Sequence, residues 1–436
     1  MSKGKRSRRP SGHPAKVAVR RERDASRRSS VAAGPDGIAR RIVREALDLT
    51  GALDAELWGS TLLGVFWSQR GTLPLEDATS DEYSLVFGEP LIEAVARLGG
   101  AGPRIALAVI AVVDDGELGA RAGELADGLT DAAGEALPSW IAELGEAEIT
   151  GAAVMREDIF DDASTVFLEA RHPGGEVHAV GVLIDNNLGV MAKDILLADS
   201  IDRVAQAMRE HPRRDGDLKL EPIVPGVAAG RIHAALELTD MKWDPPVTDD
   251  YAGLRALAVM RADEAPAYVA ISGRPEIPSK KRDRLRDQFL CSPEGKGFAP
   301  DGEEAYAVSL AIDFCADYVD GRPLRWSPVV VELFMAGWIP SKVLGDRDLF
   351  ERLPSALDAW VRFAGRKSKS PDWAVAATRA AIPRWRDEMV HRGNDPTAGG
   401  PAKQFLSAAR RAGVDIEDGD ALNSFIAGWN ARSEAP

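Results

Sequence analysis

A chain of 436 residues with 45% hydrophobic content is long enough for two or three domains with cores of their own. Only two cysteines, Cys291 and Cys315, are present and they lack metal-ligand spacing, which excludes a disulfide framework and a cysteine-held metal. The net charge of -14 is unevenly placed: residues 1–30 carry eleven Lys or Arg against Glu22 and Asp24, a net of +9, which leaves -23 on the other 406 residues.

Taken in order, residues 1–34 form a polar, Ser-rich basic tail that cannot bury enough surface to fold and is expected to be disordered. Its charge suits phosphates, so nucleic acid is a possible partner through residues 1–30, although no aromatic residue interleaves the charges. An Arg- and Ser-rich start is also transit-peptide composition, but no secretory apolar core is present and a cytoplasmic location is expected. No membrane contact is expected, because the longest purely apolar run, Ile105 to Val113, falls well short of the roughly 18 residues a membrane helix needs.

Residues 35–150 read as helical. Asp36 caps a helix with Ile38, Ile42, Val43 and Ala46 at helical spacing, and Leu57 to Trp67 reads as a block buried on more than one side. A loop through Pro74 to Asp81 leads to helices near Pro90 to Leu98, Arg104 to Val113 and Leu118 to Leu129. Residues 151–212 hold a β-meander and a covering helix from Ser200 to Glu210, and residues 213–300 are connective helices. From Asp301, residues 301–436 form a Trp-rich helical domain with six of the ten tryptophans. The fold class is therefore α+β and predominantly helical, with a small three-stranded antiparallel meander packed by helices and a C-terminal helical domain.

The meander, Thr165 to Asp199, is where β-branched runs alternate with turn chemistry. Reading His172 to Gly175 as a four-residue loop pairs Arg171 with Glu176 and sets Glu169 opposite His178. Reading Asn186 and Asn187 as the centre of a type I′ turn sets Val180 opposite Lys193, so Glu169, His178 and Lys193 share a face. A carboxylate beside an imidazole is the material of a general base, which makes these three the candidate catalytic residues of a hydrolase; the plainer reading is a cross-strand charge pair with a snorkelling lysine. A one-residue register error would dissolve the triad.

The acidic segment with Glu157, Asp158, Asp161 and Asp162 lacks the spacing of a calcium loop and reads as a solvated turn; no metal and no cofactor is expected. Candidate binding residues are Asp185, Asn186 and Asn187, together with Trp326, Trp338 and Trp360 should the C-terminal helices present an aromatic groove, although core packing explains most of the tryptophans. Arg386 and His391 match the Arg-x4-His pattern of HEPN-type ribonucleases, but so do Arg8 and His13 in the tail.

The segments Asp185-Asn186-Asn187-Leu188-Gly189 with Lys193-Asp194, Pro323-Leu324-Arg325-Trp326-Ser327-Pro328 with Glu332, Trp338-Ile339-Pro340 with Lys342, and Ala359-Trp360-Val361-Arg362-Phe363 resemble an uncharacterised actinobacterial protein family from about Leu137 to Asn430. That family's pattern more often has His at position 186 and a basic residue at 341, where this chain has Asn and Ser. The resemblance implies a cytoplasmic bacterial protein and supplies no catalytic residue. The titratable residues gather into no recognisable mechanism, so the expectation is a non-enzymatic interaction or regulatory protein with a protein partner. The alternatives are a hydrolase using the meander's polar face, with nucleic acid as one candidate substrate, and a nucleic-acid-binding protein acting through its tail.

Overall fold

The computed structural model describes residues 35–69, 80–129, 136–156, 158–210, 218–271, 273–345, 347–395, 399–415, 418, 421, 425 and 426. The basic tail, Glu157, most of the Pro74–Asp81 loop and Trp429 lie outside them. The protein is mainly helical with one five-stranded antiparallel sheet, and no helix among the described residues is long and apolar enough to cross a membrane.

Three strands fall where the β-branched runs place them: β2 (Ala163–Arg171), β3 (Val177–Asp185) and β4 (Met191–Ala198). The expected three-stranded meander is nevertheless too small. Strands β1 (Glu148–Arg156) and β5 (Lys219–Pro222) extend it in the order β4-β3-β2-β1-β5, with Ala153 opposite Pro222. β1 is rich in Gly and Ala, which have little strand preference, and β5 is a four-residue edge strand closed by a proline, where a missing N–H costs nothing.

Both hairpins depart from their expected turns. At the first, His172 N–H donates to Glu176 O (3.0 Å) and Gly175 N–H to His172 O (2.8 Å), with Gly175 at φ 91°. This is a three-residue loop closed by a glycine bulge, which shifts the register by one residue from the four-residue reading. At the second, Asn186–Leu188 forms a 3-10 turn rather than a type I′ turn, followed by Gly189 and Val190 at φ 83° and 70°. Asp185 Oδ1 caps the turn by accepting from Asn187 N–H (2.9 Å).

The chain divides into two compact units. The first contains the described residues up to Thr150, the hairpin tip Glu169–Val180 and Thr248–Ala265. Its helices are α1 (Pro35–Leu47), α2 (Ala52–Trp67), α3 (Ser80–Ala96), α4 (Ala101–Val113) and α5 (Glu117–Gly128), with a 3-10 turn at Ser139–Glu143. The helix Tyr251–Asp263, eighth in the chain, packs along α2.

That pairing follows from two rows at four-residue spacing. Glu56, Ser60 and Gly64 line one side of α2; Gly253, Leu257 and Arg261 line the facing helix. Ser60 Oγ donates to Gly253 O (2.9 Å) and accepts from Leu257 N–H (3.1 Å). Gly64 sits so close that a methyl group there would run into the Ala252 carbonyl. We expect Gly64→Ala to destabilise the protein by about 1–3 kcal/mol, read as a lowered urea midpoint, because backbone cannot yield as a side chain does.

The second unit contains Gly151–Leu168, Gly181–Val247 and the described residues from Pro266 onward. Helices α6 (Ile201–Glu210) and α7 (Pro225–Asp240) contact β4, and the buried Thr239 hydroxyl of α7 lies 2.9 Å from Ala192 O. With Tyr251–Asp263 as α8, the later helices are α9 (Ser279–Leu290), α10 (Glu303–Asp317), α11 (Pro328–Glu332), α12 (Ile339–Lys342), α13 (Arg347–Ser368), α14 (Asp372–Asn394) and α15 (Pro401–Arg411).

Ser327 caps α11 by accepting from Val330 N–H (3.0 Å), and Pro328 opens the helix, where its missing N–H costs nothing. The chain does not break at Trp338-Ile339-Pro340: a π-helical turn at Leu333–Trp338 carries it into α12. The core of this unit is aromatic, with Phe289, Trp360 and Phe363 in mutual contact and Phe314, Phe334 and Trp338 beside one another.

Candidate functional site

In the first unit a charged group sits where sequence patterning shows only an apolar helix block. Glu56 and Arg261 are both fully buried, and an Arg261 Nη2–H donates to Glu56 Oε2. Glu56 Oε2 also lies 3.1 Å from His172 Nε2, and Oε1 accepts from Gly145 N–H (3.0 Å). Gly145 has a φ of 70°, a left-handed turn after the 3-10 segment that any side chain would strain. Arg261 Nε–H donates to His178 Nε2 (2.8 Å), which places the neutral imidazole's proton on Nδ1. Arg261 Nη1 donates to both oxygens of Glu264 (2.7 and 2.9 Å).

The electrostatics follow from this geometry. Burial pushes the Glu56 carboxyl up, but His172, Arg261 and the Gly145 amide together hold it below its ordinary value of 4.5. Burial, with the Arg261 cation adjacent, pushes His178 down to about 3, so it is neutral at physiological pH. Burial pushes Glu264 up to about 7 against the opposing pull of Arg261. Glu56 and Arg261 offset one another, and the ionisable carboxyl left to balance is that of Glu264.

Glu264 borders a cavity of about 420 Å³, lined also by Val112, Val113, Leu144, Val259 and Met260 and by the carboxylate residues Asp115 and Asp263. Apolar walls with a few acidic groups, one of them tied to a buried arginine, form a recess suited to a cation with an apolar stem.

The predicted catalytic residues do not assemble as expected. The one-residue shift at the first hairpin turns His172 and His178 inward, their rings stacked at 5.4 Å, while Glu169 lies between buried neighbours on the other face and accepts from Thr150 Oγ1 (3.1 Å). Lys193 pairs with Asp185 (3.3 Å). Of the three, only His178 belongs to the buried cluster, and its partners there are Arg261 and His172.

The predicted binding residues divide in the second unit. Asn186 N–H donates to Asp162 O (3.0 Å) and its amide Nδ2 to Asp161 O (2.8 Å). Asn187 Oδ1 accepts from Arg325 Nη2 (2.7 Å), and Arg325 also reaches Asp162 Oδ1 (2.8 Å) and Asp320 Oδ2 (2.6 Å). Arg322 joins Asp161 Oδ2 (2.6 Å) to Asp320. The acidic turn is therefore tied down by arginines rather than solvated, and two stretches far apart in sequence, Asp185-Asn186-Asn187 and Arg322 to Arg325, converge on it. No group among the described residues has the make-up of a metal site. Trp326 and Trp360 are buried in the core and Trp338 is partly buried, so an open groove formed by these three is absent.

Fold and site together define a helix-rich α+β protein whose first unit encloses a buried ion network bordering an acidic, apolar-walled cavity. No family model, curated protein or solved structure matches the chain.

Proposed function

We propose that the protein is a non-enzymatic interaction or regulatory protein whose first unit receives a cationic group, a free alkylamine or a partner's lysine side chain, in the cavity beside Glu264. One observation carries this reading: Glu264 holds the ionisable charge left over by the buried Glu56–Arg261 pair and presents it to an apolar-walled recess. A bound ammonium group takes the place of the proton that burial otherwise favours on Glu264, while Val112, Leu144 and Met260 cover its alkyl stem. Chemistry on the meander histidines is the weaker reading, since His172 and His178 are each only 1% exposed.

The test is calorimetric titration with hexylammonium, and with hexanoate as the isosteric anion, at pH 8. Saturable binding of hexylammonium alone is expected, weakened at least tenfold in Glu264→Gln, whose amide oxygen still accepts from Arg261. Equal binding of both probes, or undiminished binding to the variant, contradicts it.

A further inference from the structure

The arginines around the acidic turn of the second unit are not equally provided for. Arg325 reaches Asp162 and Asp320, Arg322 reaches Asp161 and Asp320, and Arg156 lies 3.7 Å from Asp161 and 3.6 Å from Glu221. Arg231, projecting from α7, is also partly buried, yet its hydrogen bond is to a neutral group, the Ser164 hydroxyl (3.0 Å), and it forms no ion pair among the described residues. A guanidinium taken partly out of water with no carboxylate in contact, and only Asp161 within electrostatic reach, is favoured by an anion that completes it.

We propose that Arg231, with Ser164, Arg156 and Arg322 around it, forms a site for a phosphate-type oxyanion. Arg156 and Arg322 both address Asp161 Oδ2, so their guanidinium groups lie close together. Arg231 is within electrostatic reach of both of them and of Asp161. Burial lowers its pKa, Asp161 pulls the other way, and the two neighbouring cations lower it further, which is the environment an added anion relieves. Planar guanidinium forks match tetrahedral oxyanions, and the Ser164 hydroxyl, 1% exposed at the start of β2, fixes one edge of the Arg231 fork. Asp161 is the internal anion with which a ligand must share these cations. It is held there by a left-handed backbone (φ 55°) and by Asn186, which donates to its carbonyl.

The experiment is thermal denaturation and calorimetric titration of the full chain with inorganic phosphate and phenyl phosphate, with chloride holding ionic strength constant. Acetate is the carboxylate arm. Saturable binding of the phosphates is expected, with acetate at least tenfold weaker. Arg231→Gln is expected to reduce phosphate affinity at least tenfold, Arg231→Lys to retain part of it as a point charge, and Asp161→Asn to tighten it several-fold by removing the competing anion. Should Arg231→Gln fail to fold, the opposite movements of Arg231→Lys and Asp161→Asn carry the test. Absence of saturable phosphate binding, equal response of wild type and the Arg231 variants, or acetate binding as tightly as phosphate overturns the proposal.

Discussion

Arg261→Ala is expected to destabilise the protein by about 3–5 kcal/mol, seen as a large drop in the urea midpoint, because it strands the Glu56 carboxylate in a fully buried site. The same change removes the donor to His178 and both hydrogen bonds to Glu264. Adding Glu56→Gln should recover part of the loss, since the stranded charge disappears while Gly145 N–H keeps an acceptor. A double variant no better than the single one would show that lost packing, and not the unpaired charge, sets the cost.

The second large effect concerns pH, and its signature is cancellation. Glu264 has a folded pKa of about 7 against an ordinary value of 4.5, so the folded state holds the proton longer, and the group's stabilising contribution is lost as pH rises from 4.5 through 7. His178 has a folded pKa of about 3 against 6.5, so the unfolded state takes the proton first, and its contribution is lost as pH falls from 6.5 toward 3. Between pH 4.5 and 6.5 the slopes are opposite, each on the order of 2 kcal/mol across that window. The wild-type contribution from this pair is therefore nearly flat. Glu264→Gln should unmask a stability that rises with pH across the window, and His178→Gln, which still offers an acceptor to Arg261, one that falls. Urea midpoints at pH 4.5, 5.5 and 6.5 decide this, and slopes of the same sign in the two variants would refute it.

How much of this was legible differs by element. Strands β2, β3 and β4 announce themselves by β-branched runs between turn residues, whereas β1 carries Gly151-Ala152-Ala153 at its centre and reads as linker. His178 stands out in the sequence, but its partner depends on register. A single glycine bulge at Gly175 exchanges Glu169 for the buried side, where His172 and Arg261 wait.

Glu56 and Arg261 are 205 residues apart, and each is surrounded by apolar neighbours, so neither belongs to a local motif. The available signal was spacing: one charge at the end of a small-residue row, Glu56-Ser60-Gly64, and another at the end of Gly253-Leu257-Arg261. A charge on a buried helix face calls for a partner on the facing helix. In the second unit, Asp185-Asn186-Asn187 was visible as turn chemistry. That its asparagines fasten the Asp161–Asp162 turn and meet Arg325 is a tertiary fact that turn propensity does not contain.

The most direct measurement is the titration of the Glu264 side-chain carboxyl carbon by NMR, with and without hexylammonium. A midpoint near 7 is expected in the free protein, and a lower one with the amine bound. A midpoint at the ordinary 4.5, unmoved by the amine, would contradict a leftover buried charge facing the cavity.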